Sequence, residues 1–319
     1  MINNLFKIIL NNYTYTHIYI YTYINNKLIK MLGYHVSIIK KSFKKSIEER
    51  HKKSSINAFQ LFVRNPRQLK IVEYKENEAL ECKKYIEDNN LFLVSHATYL
   101  LNTATKENYD DKILSALNDL IYAEKIGAIG SVFHVGKHLK QTVEEGIENM
   151  YIFISEVIQK LQDMNSKSIY ILETCAASGT ELLSDLKDFG AFYHRFNEKQ
   201  KENLKICIDT CHVFSAGYSL KSADEADQFI NLIEENIKWN NVILIHLNDS
   251  KKDCGCKVDR HENLCQGCIG KDDDSGFKKL VNYVYNLNIP LILETPHDDH
   301  NMYEVYQKDL EKVRGWLNK

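Results

Sequence analysis

Imidazoles and carboxylates recur at the ends of short apolar runs along this chain. His96 ends the run Leu91–His96, His134 lies in Ser131–Gly136, and Glu173 closes Ser168–Glu173. Asp209 closes Leu204–Asp209 with His212 three residues on, His246 lies in Val242–Asn248, and Glu294 closes Pro290–Glu294. Val258-Asp259-Arg260-His261 adds a further carboxylate and imidazole after the seventh run, and His35 and Asn65 stand similarly near the first two. A single histidine at a strand end is ordinarily a hydrogen-bonded structural residue. Carboxylates that close apolar strands are different, because once desolvated they need a cation. Repeated in run after run, the pattern reads as a metal cluster. Imidazole and carboxylate ligands suit Zn²⁺, with Mn²⁺ or Fe²⁺ as substitutes. Nine candidate ligands exceed the coordination of one ion, so two or three ions are expected, and His212, Asp259 and His261 form a three-ligand set with coordination left open. Zinc ions about 3.5–4 Å apart are suited to in-line displacement at phosphorus, which makes a phosphate ester the expected substrate.

These residues need a scaffold that brings strand ends together. Eight short β-branched runs, the six above plus Gly33–Ser37 and Ala58–Val63, alternate with stretches of helical period. Ile147, Met150, Ile154, Val157, Ile158 and Leu161 share one helix face; so do Ala226, Phe229, Ile230, Ile233 and Ile237, and Phe277, Leu280, Val281 and Val284. Continuous apolar strands joined by helices imply a parallel sheet covered on its outside. Eight such units predict an α/β chain folded as a (β/α)₈ TIM barrel, a single domain over 31–319, with an open doubly wound sheet as the alternative. In a barrel all strand C-termini meet at one mouth, so residues far apart in sequence converge there. No G-x-G-x-x-G or P-loop pattern follows the first run, so no nucleotide cofactor is expected.

The balance of 41 Lys+Arg against 43 Asp+Glu excludes nucleic-acid binding by blanket positive charge and leaves room only for a local basic face. No run of about 18 apolar residues occurs, so no membrane span is expected. Nothing marks a dimer seam, and a monomer is expected. Residues 1–30 hold five Tyr and no acid, and are expected to form a disordered extension, with Met31 the effective start. Eight Cys without a clear signal peptide point to a reducing compartment and to thiol or metal roles. Cys254-x-Cys256 and Cys265-x-x-Cys268 bracket Asp259 and His261; they could hold an added structural zinc, form disulfides or stay unpaired. Cys207 and Cys211, flanking Asp209, read as inert core thiols.

Taken together, the segments Gly-Tyr-His-Val-Ser (33–37), Phe-Val-Arg-Asn-Pro-Arg-Gln (62–68), Ser-His-Ala-Thr-Tyr-Leu (95–100) and Cys-Ile-Asp-Thr-Cys-His (207–212) resemble the endonuclease IV family of zinc-dependent abasic-site endonucleases. Ala-Gly-Tyr (216–218), His-Leu-Asn-Asp (246–249), Val-Asp-Arg-His (258–261) and Leu-Ile-Leu-Glu-Thr (291–295) extend the resemblance to nearly the whole chain after residue 32. It implies a first zinc on His96, His134 and Glu173, a second on Glu173, Asp209, His246 and Glu294, and a third on His212, Asp259 and His261. The implied reaction is base-excision repair of duplex DNA. The phosphodiester 5′ to an abasic site is hydrolysed, leaving a 3′-hydroxyl and a 5′-deoxyribose phosphate, with cleaning of blocked 3′ ends besides. Glu173 would bridge two ions and position the attacking hydroxide. Arg67 would probe the minor groove and Tyr99 would stack near the flipped-out nucleotide, which costs less to extrude when its base is already lost. A metal-dependent sugar isomerase or epimerase on the same barrel is the rival reading.

Two stretches depart from the family pattern. Residues 38–45 with Arg50, Lys52 and Lys53 put a basic cluster after the first run, where either a phosphate-facing loop or a solvated helix compensated by Glu48 and Glu49 would account for it. Thr174 follows Glu173 where the family usually carries Asn.

Overall fold

The computed structural model describes residues 31–38, 42–298 and 300–317. The expected extension over 1–30, and Lys40 and Lys41 of the basic stretch, lie outside the described residues.

Eight parallel strands close into a barrel: β1 (Leu32–His35), β2 (Ala58–Leu61), β3 (Phe92–His96), β4 (Gly130–His134), β5 (Ile169–Glu173), β6 (Leu204–Asp209), β7 (Val242–His246) and β10 (Leu291–Leu293). Each pairs with its neighbour in sequence order, and β10 returns to pair with β1, so the open-sheet alternative does not hold. The order follows from chemistry: strands apolar on both faces must be covered by helices outside and packed side chains inside. Gly33 permits the closest approach, since a Cβ there would fall 1.6 Å from the carbonyl oxygen of Ala58.

The outer ring comprises α1 (Phe43–Ser54), α2 (Glu76–Asp88), α3 (Tyr109–Lys125), α4 (Val143–Asp163), α5 (Leu186–His194), the single turn α6 (Glu198–Lys201), α7 (Thr210–Ala216), α8 (Ala223–Asn236), α9 (Ser275–Asn286) and α10 (Met302–Leu317). The apolar stripe expected on α4 is buried at Met150, Ile154, Val157, Ile158 and Leu161, and the helix starts at a reciprocal cap between Thr142 and Glu145. Ser222 and Glu225 start α8 the same way, with Ala226, Phe229, Ile230 and Ile233 buried. A two-residue ribbon, β8 (Asp249–Ser250) with β9 (His261–Glu262), runs antiparallel beyond β7.

Register sets the level of the mouth residues. His134 lies beside Glu173 across β4–β5, and Asp209 lies beside His246 across β6–β7. The second match depends on a bulge at Ile206/Cys207, which lets Asp209 draw level with His246.

The basic stretch resolves as a charge-paired helix in its described part. Lys52 and Lys53 pair with Glu48 and Glu49 one turn earlier on α1, Lys44 lies 3.7 Å from Glu81, and Arg50 is buried. The phosphate-facing reading gains nothing from these residues.

Candidate metal centre

Each mouth residue is delivered by a local device. Asp209 ends β6 and caps α7, one carboxylate oxygen accepting from the His212 backbone N–H at 2.9 Å. That cap explains the Asp-x-x-His spacing: the first turn of α7 swings His212 back over the barrel. In His246-Leu-Asn-Asp249 the three polar residues divide the work. His246 points into the mouth, and Asn248 donates to Asp209 Oδ2 (2.7 Å) while accepting from the Glu294 backbone (2.8 Å). Asp249 accepts backbone N–H groups from Ser250, Gly267, Ile269 and Gly270. It thereby pins residues 267–270, just past the β8–β9 ribbon whose connection carries Asp259 and whose second strand begins at His261.

The result is three adjoining groups, each with ligand-capable atoms within 4.8 Å of one another: His96, His134 and Glu173; Glu173, Asp209, His246 and Glu294; and His212, Asp259 and His261. All nine residues named from the sequence meet here. Glu173 Oε2 lies 3.2 Å from His134 Nε2 and 3.5 Å from His96 Nε2, while Oε1 lies 2.6 Å from His246 Nδ1. Asp259 offers one oxygen to His212 and the other to His261, each at 3.3 Å.

The electrostatics are those of a site built around cations. Burial by itself would raise the Glu173 carboxyl, yet the charges of His246 and His134 hold it well below the usual carboxylate range. Burial likewise disfavours charge on His261, but Asp209 and Asp259 lift its imidazole to about 9; Asp209 and Asp259 also raise His212. Protons here occupy places that a cation would take from them. Glu173 Oε2 and His261 Nε2 are buried from water and meet only the other imidazole and carboxylate atoms of the centre, without a well-aligned hydrogen bond, a costly state that metal coordination relieves. Oxygen and imidazole donors in sets of three and four suit zinc. Cys207 and Cys211 also lie within reach of these groups, and burial pushes both thiols up to about 12.

Gln60 escaped the sequence reading. Its amide nitrogen donates to Glu294 Oε1 (2.5 Å), its carbonyl faces His246 Nε2 (2.8 Å), and His35 Nδ1 lies 3.0 Å from the same nitrogen. The available signal was a lone amide inside the apolar strand Ala-Phe-Gln-Leu. Tyr99 is 58% exposed on the rim, its ring 5.5 Å from that of His96 and 5.8 Å from that of His134. It borders a cavity of about 500 Å³ lined also by His134, Lys137, Lys257, Asp259 and Arg260. Arg67 is exposed on the loop after β2, its backbone held by the Asn65 side chain at 2.9 Å.

Among the described residues no convergent ligand group includes Cys254, Cys256, Cys265 or Cys268, and all four are free thiols. Cys254 and Cys268 share the surroundings of Lys221 and Asp253, Cys256 Sγ faces Ser215, and Cys265 lies by Lys312 and Asp274.

A closed eight-stranded barrel with this mouth belongs to a recognisable class: residues 49–319 match the family described as xylose isomerase-like TIM barrel. Within that class the chain belongs to the endonuclease IV family of abasic-site endonucleases. It is 30% identical over 307 residues to a protein of Acanthamoeba polyphaga mimivirus named for endonuclease 4, covering 92% of this chain and 96% of that one. The crystal structure of endonuclease IV from Thermus thermophilus superposes with a TM-score of 0.75 at 26% identity, covering 90% of this chain and 98% of the other. A D-tagatose 3-epimerase-like protein shares the fold at 17% identity and a TM-score of 0.62, over 89% of this chain and 98% of the other. No described helix is long and apolar enough to cross a membrane.

Proposed function

We propose that this chain is a DNA-repair endonuclease that hydrolyses the phosphodiester 5′ to an abasic site in duplex DNA, leaving a 3′-hydroxyl and a 5′-deoxyribose phosphate, and that it also clears blocked 3′ ends. It does so with three zinc ions, held by His96, His134 and Glu173, by Glu173, Asp209, His246 and Glu294, and by His212, Asp259 and His261. The observation that carries this reading is the sharing of Glu173. One of its oxygens faces the two imidazoles of the first group and the other faces His246 of the second.

When bound, zinc supplies a water deprotonated near neutral pH and Lewis-acid stabilisation of the leaving oxygen. The chain's own residues do the rest. Four carboxylates, Glu173, Asp209, Asp259 and Glu294, offset only part of the charge of three divalent ions, so the loaded mouth stays electropositive toward a phosphodiester. Glu173 orients the attacking oxygen, because its buried carboxylate is fixed from both sides. Tyr99 offers an exposed ring on which the extruded nucleotide stacks, and Arg67 reaches the duplex beside it. One chain contributes every residue of the centre, which supports action as a monomer.

The test is a labelled duplex carrying one tetrahydrofuran abasic analogue, incubated without added Mg²⁺ and resolved on a denaturing gel. The analogue does not undergo β-elimination, so a 3′-hydroxyl product identifies hydrolysis. Incision that vanishes in Glu173→Gln is the expected outcome. No incision by fully zinc-loaded protein would overturn the reading and return the choice to the sugar isomerase.

A further inference from the structure

Arg64 and Asp119 form a buried ion pair outside the metal centre, and apart from Ser115 on the same helix as Asp119 its remaining contacts lead to the two rim loops. The guanidinium of Arg64, at the end of the second strand's apolar run, spends all five N–H groups. Nε and Nη2 grip Asp119 on α3 at 2.6 and 2.8 Å, and Nη2 also donates to Ser115 Oγ at 2.5 Å. Nη1 donates to the carbonyls of Gln68 and Lys70 at 3.0 and 3.1 Å, the far side of the loop that presents Arg67. Asp119 in turn accepts from the backbone of Thr98, next to Tyr99. The two loops are also joined directly, since the Pro66 carbonyl accepts from Thr98 Oγ1 (2.7 Å) and from the Tyr99 N–H (3.0 Å).

We propose that Arg64 and Asp119 are positioning residues for damage recognition, one clamp that holds Arg67 and Tyr99 in fixed relation above the centre. The inference rests on the DNA-contacting reading of those two residues. A buried ion pair is a poor source of net stability, since apolar residues of similar size often replace one without loss. This pair instead ties down two surface loops that would otherwise have to order on binding, so its benefit falls on recognition.

The test uses the full zinc-loaded chain and the tetrahydrofuran duplex. The double variant Arg64→Met/Asp119→Leu removes the tethers without stranding a charge, and circular dichroism and zinc content verify that it is folded and loaded. We expect KM for incision to rise about 10- to 100-fold with kcat within about threefold. With Arg67→Ala/Tyr99→Ala as the background the same double change should cost less than about threefold, because the clamp acts through those two residues; a purely structural role would show the full loss in both backgrounds. Arg64→Lys, which keeps the charge pair but cannot reach both loop carbonyls, should give a KM-only loss of the same kind and serves if the double variant misfolds. Wild-type KM in both folded variants, or equal losses with and without the Arg67 and Tyr99 side chains, overturns the clamp while the endonuclease reading stands. Absence of incision by the wild type overturns both.

Discussion

Replacing Gln60 by Leu should weaken metal binding at one group and spare another. In the native chain the amide N–H faces the Glu294 carboxylate at 2.5 Å, which obliges the amide carbonyl to accept from His246 Nε2 at 2.8 Å. His246 is thereby left with Nδ1 toward Glu173 and Glu294, at 2.6 and 3.2 Å. Leucine has similar bulk but offers neither bond, so a fully buried imidazole N–H loses its acceptor and the ring is free to take the wrong tautomer or tilt. Loss of such an outer partner ordinarily costs about 10- to 100-fold in metal affinity or activity, or about 1.4–2.8 kcal/mol. That range agrees with the roughly 1–3 kcal/mol cost of one buried, unsatisfied polar group. The assay is competition with a chromogenic chelator, which resolves zinc bound at separate sites. One affinity should fall by that factor while the zinc at His212, Asp259 and His261, which Gln60 does not touch, keeps its own. Three wild-type affinities in folded Gln60→Leu would refute the reasoning; a uniform loss at all sites would show a general packing defect instead.

Three other outcomes follow from the same geometry. Chelation should lower the thermal midpoint by several degrees, because the metal-free centre leaves buried carboxylates to repel one another and a ligand held at 1,000 times its Kd contributes about 4 kcal/mol; an unchanged melting curve by circular dichroism would contradict it. Converting Cys254, Cys256, Cys265 and Cys268 together to Ser should leave metal analysis at three zinc per chain, since these thiols do not converge, and a drop from four to three would reinstate the structural site. Arg64→Met alone should destabilise the fold by about 3–5 kcal/mol in urea unfolding, because it strands the fully buried Asp119 carboxylate. Adding Asp119→Leu should recover most of that loss, and failure to do so would mean that packing rather than charge sets the cost.

The barrel and its nine polar groups were legible in the sequence for one physical reason. A parallel strand that closes on a carboxylate or imidazole carries it to the same end as every other strand, so residue type and position within each run already place Glu173, Asp209 and Glu294 at one mouth. Residue spacing already suggested His212, Asp259 and His261 as one set, and the family resemblance divided the remaining six between the other two. What the runs do not encode is lateral contact. Gln60 meets His246 only because the barrel closes through β10 and β1, and Asn248 links Asp209 to Glu294 only across neighbouring strands in a given register. The Arg64–Asp119 pair joins a loop to a helix 55 residues away. The cysteine spacing is the opposite case: Cys-x-Cys and Cys-x-x-Cys look like a zinc site on paper, but among the described residues no three of these thiols are drawn into one ligand group. Residue chemistry and strand order belong to the sequence; which side chains face each other across the closed barrel was decided by register and loop path, because those contacts form only once distant segments are packed side by side.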